Sequence, residues 1–354
     1  MLRKFFLYTF LFIFMSILSS CLFFYESKYY QGQISDHFDG KRFFNPQTQD
    51  PLKKNFMSYY QAKAKYEKEN GKSLWVEEKI PVKKFIPQPQ INNDKINVTY
   101  VGHSTFLLQF NNLNILTDPI WSNRASPLAF LGPKRAKDPG IDFANLPKID
   151  IVLVSHSHYD HLDIPTLKKL HQHSRPKILS GLGVCYYLNN IKKLSFDCHE
   201  MDWHDKFNFN QDLTINFLPA QHWSKRMFWG SNATLWGAFA LETKLGNIYF
   251  AGDTGYGNHF REAGNKFKQF RLALLPIGAY KPQDFMIKHH ISPKQAIQAH
   301  EELNAQKSIA MHFETFRLAS DNFYDPANDL RKYRAQKNLE DKFLILEVGQ
   351  NKEF

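Results

Sequence analysis

Cysteine is scarce. The 354 residues hold only three, Cys21, Cys185 and Cys198, and none lies in a Cys-x-x-Cys pair. That excludes a cysteine-built zinc module and a disulfide framework, and the expectation is that Cys185 and Cys198 stay unpaired. Long runs of like charge, fixed-period repeats and low-complexity tracts are also missing, so the chain is neither a repeat array nor a polyelectrolyte tail. No nucleic-acid-binding motif occurs, although the formal charge is +11 and the pI is near 9.3. That balance suits a solvated basic surface or an anionic membrane rather than a nucleic-acid partner. Apolar residues at 43% and charged residues at 22% describe a globular chain with a sizeable core.

What is present begins at the N-terminus. Arg3 and Lys4 precede a run from Phe5 to Leu18 without charge, and Leu18-Ser19-Ser20-Cys21 closes it. This is the layout of an export signal, and its end resembles a bacterial lipobox in which Cys21 carries lipid. The uncharged stretch to Phe24 is also long enough to be an uncleaved anchor. Either reading tethers the protein to a membrane of the bacterial cell envelope. The expected organisation is a signal or anchor over 1–21, an N-terminal extension and arm over 22–95, and a catalytic domain over 96–354.

From Ile96 onward, short β-rich runs recur. Asn97–Val101, Phe106–Phe110 and Asn114–Thr117 read as a meander turned at Asn111-Asn112. Ile149–Val154 is apolar at almost every position, as a strand covered on both faces must be. Further strands are expected at Leu213–Leu218, Gly237–Glu242, Ile248–Ala251, Leu272–Leu275, Ser308–His312 and Phe343–Val348. Helices are expected at Asn55–Lys72, Pro165–Gln172 (with Asp163 as N-cap), Val184–Asn190 and Pro293–Leu303. Strands interspersed with helices make a layered α/β domain.

The loop after the buried strand carries the chemistry: Ser155-His156-Ser157-His158-Tyr159-Asp160-His161. Three imidazoles and a carboxylate within six residues are the donors zinc takes at catalytic sites, and one such loop can feed two adjacent metals. It cannot complete two coordination spheres. His222, Asp253 and His312 each follow an apolar strand in the order His, Asp, His, and supply the remaining candidates.

With these residues the chain resembles the metallo-β-lactamase superfamily, and within it the N-acyl phosphatidylethanolamine phospholipase D family. The resemblance also includes Gly102-His103-Ser104-Thr105, Thr117-Asp118-Pro119-Ile120-Trp121, Arg124-Ala125-Ser126-Pro127, Gly132-Pro133-Lys134-Arg135, Gln221-His222-Trp223 and Phe250-Ala251-Gly252-Asp253-Thr254-Gly255-Tyr256. It implies a four-layer αβ/βα sandwich with two Zn2+ at one edge of the sheets. His156, His158 and His222 would bind the first zinc, Asp160, His161 and His312 the second, and Asp253 both. Five imidazoles and the family favour zinc over iron or manganese. Asp160, Asp253 and His290 would be catalytic, with His290 beside the substrate phosphate. His103 and Asp118 are expected around the ligands, Arg124 is a candidate phosphate contact, and Thr254 and Gly255 shape the turn presenting Asp253. The remaining histidines (His171, His173, His199, His204, His259 and His300) read as surface or structural.

The implied reaction is hydrolysis of N-acyl phosphatidylethanolamine to phosphatidic acid and an N-acylethanolamine, with phospholipid and a membrane surface as partners and a homodimer as the candidate assembly. A lactonase or other small-molecule hydrolase on the same site, and a non-catalytic tethered envelope protein, are the alternatives. The superfamily's antibiotic-degrading members supply a cysteine to the second metal, and neither Cys185 nor Cys198 stands at a ligand position. Two departures from the family stand out. His289 replaces a glutamine of mammalian members, and Glu314 replaces the usual glycine, where its carboxylate is expected to narrow the pocket or repel an anionic head group.

Overall fold

The computed structural model describes residues 29–47, 56–226 and 230–354. The N-terminal signal or anchor, Cys21 included, lies outside the described residues, as do parts of the extension. Among those described, no helix is long and apolar enough to cross a membrane.

Two seven-stranded mixed sheets face each other. The first is built from β1 (Asn97–Gly102), β2 (Thr105–Phe110), β3 (Leu113–Thr117), β4 (Ile151–Val154), β5 (Lys177–Gly181) and β6 (Cys198–Met201). The second takes β7 (Lys206–Asn210), β8 (Leu213–Leu218), β9 (Ala238–Thr243), β10 (Asn247–Phe250), β11 (Phe270–Pro276), β12 (Ala305–Met311) and β13 (Phe343–Leu344). The C-terminal β14 (Asn351–Glu353) returns to pair antiparallel with β1 and edges the first sheet. Helices flank the pair, giving the four-layer αβ/βα metallo-β-lactamase sandwich. They are α1 (Phe56–Asn70), α2 (Ile164–His173), α3 (Val184–Tyr186), α4 (His259–Phe267), α5 (Gln283–Met286), α6 (Pro293–Glu302) and α7 (Asp325–Ala335).

The alternation along β4 shows how the layers form. Ile151 and Leu153 enter the core between the sheets, while Val152 and Val154 face Leu167 and Leu170 of α2 and Leu188. Successive side chains of a strand point to opposite faces, so an unbroken apolar strand needs cover on both. The β2–β3 hairpin turns at Asn111 (φ 48°) and Asn112 (φ 59°), the left-handed pair of a type I′ turn. α6 opens with Pro293 in its first turn and a capping box between Ser292 and Gln295. The segment before β1 joins the same core, where Phe38 and Phe43 are buried.

Four expectations are corrected. Val184–Asn190 is not one α-helix but a single α turn running into a π turn over Tyr187–Ile191. Of Phe343–Val348 only two residues are strand. Asp163 holds the N-cap position of α2, but its carboxylate accepts from the Ser122 and Thr166 hydroxyls rather than from the helix backbone. Cys185 and Cys198 are joined as a disulfide. The parallel pairing of β5 with β6 lays Cys198 against the turn that follows β5, a closeness that sequence spacing does not reveal.

Candidate metal centre

The ends of the strands meet at one rim, and the candidate residues are carried there. β4 runs into the loop holding His156, His158, Asp160 and His161. Shortly after β8 comes His222, just past β10 comes Asp253, and directly after β12 comes His312. His103 sits in the β1–β2 turn and Asp118 just beyond β3. All seven residues read from the sequence as metal ligands converge and are at least nine-tenths buried, except His158, which is partly exposed.

Two groups are distinguishable. In the first, His158 Nδ1 lies 2.8 Å from His156 Nε2 and 3.3 Å from His222 Nε2. In the second, Asp160 Oδ2 lies 2.9 Å from His103 Nε2, 3.2 Å from His161 Nε2 and 3.3 Å from His312 Nε2. Asp253 Oδ2 stands between them. It is 3.0 Å from His312 Nε2 and 3.2 Å from His161 Nε2 on one side, and 3.8 Å from His222 Nε2 and 3.9 Å from His156 Nε2 on the other.

Surrounding groups fix which nitrogen each ring presents. Ser155 Oγ donates its proton to Asp118 Oδ2 at 2.6 Å, so at 2.9 Å from His156 Nδ1 it must accept. His156 therefore carries its proton on Nδ1 and turns an Nε2 lone pair inward. His161 Nδ1 donates to Asp118 at 2.6 Å, and His222 Nδ1 donates to the His289 carbonyl at 2.8 Å. Three ring tautomers are set in this way by outer partners, the arrangement that orients metal-ligating imidazoles.

The donor set fits metal ions. A single proton on His158 Nδ1 can serve one of its two neighbours, whereas a cation serves all three nitrogens. Their spacing is close to the tetrahedral edge of about 3.3 Å set by zinc–nitrogen bonds of about 2.0–2.1 Å. Asp253 Oδ1 is buried without a hydrogen-bond partner among the described residues. Burial first, then neighbouring imidazoles, hold His156 well below its ordinary value. Burial also lowers His158 to about 4. In the other half, burial opposes charge, but Asp253, Asp160 and Asp118 outweigh it and raise His161 well above the usual histidine range. Against the same burial, Asp253 and Asp160 lift His312 to about 9. This half of the site therefore favours positive charge, the demand a second cation meets.

His290 also reaches the site, with Nδ1 3.9 Å from Asp253 Oδ2. Burial, only partly countered by Asp253, brings it down to about 4. Arg124 donates to the Gly132 carbonyl in its own loop. Thr254 Oγ1 accepts from the Gln221 amide and donates to the Gly255 carbonyl, tying the loops of His222 and Asp253 together. Glu314 corrects the expectation of a repelled head group: its carboxylate is buried and ion-paired with Lys137. Of the other histidines, His259 and His300 are buried, on Thr254 and Ser308.

Sequence reading missed several supports. Asn45 donates to the His222 carbonyl at 2.8 Å. Arg226, buried over the Tyr159 ring, donates to the carbonyls of Ser157 and His158 at 3.3 Å each. None of these carries a local signal; only Ser155, adjacent to His156, was within reach of a pattern.

Residues 113–313 match the Beta-lactamase superfamily domain. An N-acyl-phosphatidylethanolamine-hydrolysing phospholipase D from Caenorhabditis elegans is 32% identical over 283 residues, covering 77% of this chain and 79% of that protein. The chain belongs to this phospholipase D family of the metallo-β-lactamase superfamily. A mitochondrial family member from Saccharomyces cerevisiae is also 32% identical, over 72% of this chain and 55% of its own. Among solved structures, an isothiocyanate hydrolase from Delia radicum gut bacteria aligns with a TM-score of 0.59 at 20% identity, over 73% of this chain and 99% of that one, which establishes shared fold alone. Membership in the superfamily makes the protein a metal-dependent hydrolase.

Proposed function

We propose that the protein is a dinuclear zinc phosphodiesterase that hydrolyses N-acyl phosphatidylethanolamine-type phospholipids to phosphatidic acid and N-acylethanolamine. The observation that carries the dinuclear reading is Asp253 Oδ2, placed 3.0–3.9 Å from ring nitrogens of both groups. His156, His158 and His222 would hold one ion, Asp160, His161 and His312 the other, and Asp253 would touch both. Divalent cations held there would supply Lewis-acid chemistry, easing deprotonation of a water and offsetting charge on the phosphoryl oxygens. In the reaction, a water oxygen bonds to phosphorus in line as the bond from phosphorus to the N-acylethanolamine oxygen breaks, and the departing alkoxide takes up a proton. The buried, neutral His290 ring offers a hydrogen bond to a phosphate oxygen. His103 and Asp118 keep Asp160 and His161 aimed inward.

The phospholipid assignment is supported by the names of the worm and yeast relatives and by one surface feature. The loop between Arg124 and Lys134 lifts Leu128, Phe130 and Leu131 into solvent, at 43%, 77% and 61% exposure. Its base packs Ala125 and Ile120 on Phe316, whose ring meets His103 edge-on at 5.2 Å. An apolar tip on a loop whose base adjoins the metal centre suits a substrate drawn from a lipid surface. The Cys185–Cys198 disulfide suits an oxidising envelope compartment, in keeping with a tether at Cys21 or an N-terminal anchor.

The test is metal content and product analysis on the full chain. Purified protein should carry close to two equivalents of zinc, and Asp253→Ala should lose at least one with nearly all activity. Mass analysis against phospholipid, lactone and β-lactam panels should return phosphatidic acid. Lactone opening alone would replace this reading with the small-molecule hydrolase, and full metal content in Asp253→Ala would refute the bridging role.

A further inference from the structure

The turn that carries His312 is strained. His312 (φ 60°) and Glu314 (φ 50°) both lie in the left-handed region, and neither is glycine. His103, whose carbonyl accepts from the His312 amide, is left-handed too, at φ 58°. Such conformations persist only where their surroundings over-determine them. Several contacts do so here. The His103 amide donates to Thr315 Oγ1 at 3.1 Å, and the Ala136 amide donates to the Thr315 carbonyl at 2.8 Å. Phe313 stacks on Tyr100 with ring centroids 6.1 Å apart. On the side away from the ligands, Lys137 and Glu314 add a buried ion pair, with Glu347 3.9 Å from the same ammonium.

We propose that Lys137 and Glu314 form a positioning clamp for His312. By fastening the side chain of a left-handed residue two places beyond His312, the pair holds the turn in the conformation that aims His312 Nε2 at both Asp160 and Asp253. Neither residue touches the reacting atoms. The clamp rests on the reading that these side chains hold metal, and it acts on the second ion only, because His156, His158 and His222 reach the site from other loops. Without Lys137, Glu314 would retain its strained backbone and gain an unpaired buried carboxylate, a cost that favours opening of the turn. Glycine at 314 would remove both problems at once, since it takes positive φ freely.

Zinc binding by the full chain, titrated against a competing chelator, tests this, with the metal-free unfolding midpoint measured in parallel. Wild type should bind two equivalents. Lys137→Met should keep one at wild-type affinity and bind the other roughly 10–100-fold more weakly, the usual effect of losing an outer-shell support. Glu314→Gly should bind both normally, and Lys137→Met with Glu314→Gly should recover what Lys137→Met lost. Undiminished affinity in Lys137→Met, or no recovery in the double variant, overturns the clamp. A lowered midpoint with unchanged metal affinity overturns it as well, leaving the pair to the fold alone. Should Lys137→Met not fold, Glu314→Ala carries the same decision, because it keeps a non-glycine residue in the left-handed region without the fastening to Lys137. Failure of the wild type to bind zinc would instead defeat the metal reading itself.

Discussion

Three histidines of the centre, His156, His161 and His222, have the inward-facing nitrogen set by the atom behind the ring. Ser155 and Asp118 form a short relay that decides the tautomers of His156 and His161 together. Asp118 was expected around the ligands, but its pairing with Ser155, 37 residues away, leaves no local pattern in sequence. The convergence of the seven candidate ligands was legible: four of them crowd into one loop, and the other three each follow an apolar strand. Asn45, Lys137 and Arg226 were not, since their value comes from chain crossings that no local pattern encodes. His290 illustrates how environment decides chemistry. With burial holding it near 4, the ring is neutral at pH 7 and is a hydrogen-bond donor rather than a standing acid. His290→Ala should then keep both metals and lower phospholipid turnover by roughly 10–100-fold, the worth of a hydrogen bond to a charged group. An activated aryl phosphodiester should lose as much. A loss confined to the phospholipid, whose leaving group needs a proton, would show that His290 is a general acid instead.

At the scale of elements, the second sheet depends on helices packed close enough to share backbone contact. A Cβ added at Gly264 in α4 would lie 2.0 Å from the Glu302 carbonyl at the end of α6. Overpacking of this kind costs about 1–3 kcal/mol, so Gly264→Ala should lower the midpoint of urea unfolding with metal content retained. An unchanged midpoint would mean the two helices separate without cost. The elements that sequence reading found are those buried on both faces, such as β4, β8 and β10. Those it missed are mostly edges and surfaces. β7 alternates exposed and half-buried positions, β6 reads Cys-His-Glu-Met, and α7 has only three buried residues, so none presents an apolar run. The apolar stretch Phe343–Val348 misled in the opposite direction. Leu346 and Val348 are buried, but they reach the core from irregular chain before the left-handed Gly349.

The whole molecule is a buried metal centre at one rim of two sheets, with an apolar loop beside it. Leu128, Phe130 and Leu131 contribute little to the fold where they stand, because their side chains meet water. The loop is nonetheless held firmly at its base. The Ala125 amide donates to the Pro133 carbonyl, the Arg135 amide to that of Asn123, and Arg124 to that of Gly132. A well-fastened loop with a greasy tip resembles an anchor more than a loose end, and Lys134 adds a cation at its foot that an anionic bilayer would attract. Burying a large apolar side chain contributes about 1.5–3 kcal/mol, so replacing two of them with charge should cost at least about tenfold in productive encounters with a bilayer. The double variant Phe130→Asp, Leu131→Asp should therefore hydrolyse vesicle phospholipid at least about tenfold more slowly at limiting substrate. It should keep wild-type turnover of a water-soluble phosphodiester, together with its zinc and its unfolding midpoint. Equal losses on both substrates would place the loop in the catalytic pocket rather than on the membrane, and no loss on either would leave the lipid surface to be met by some other face.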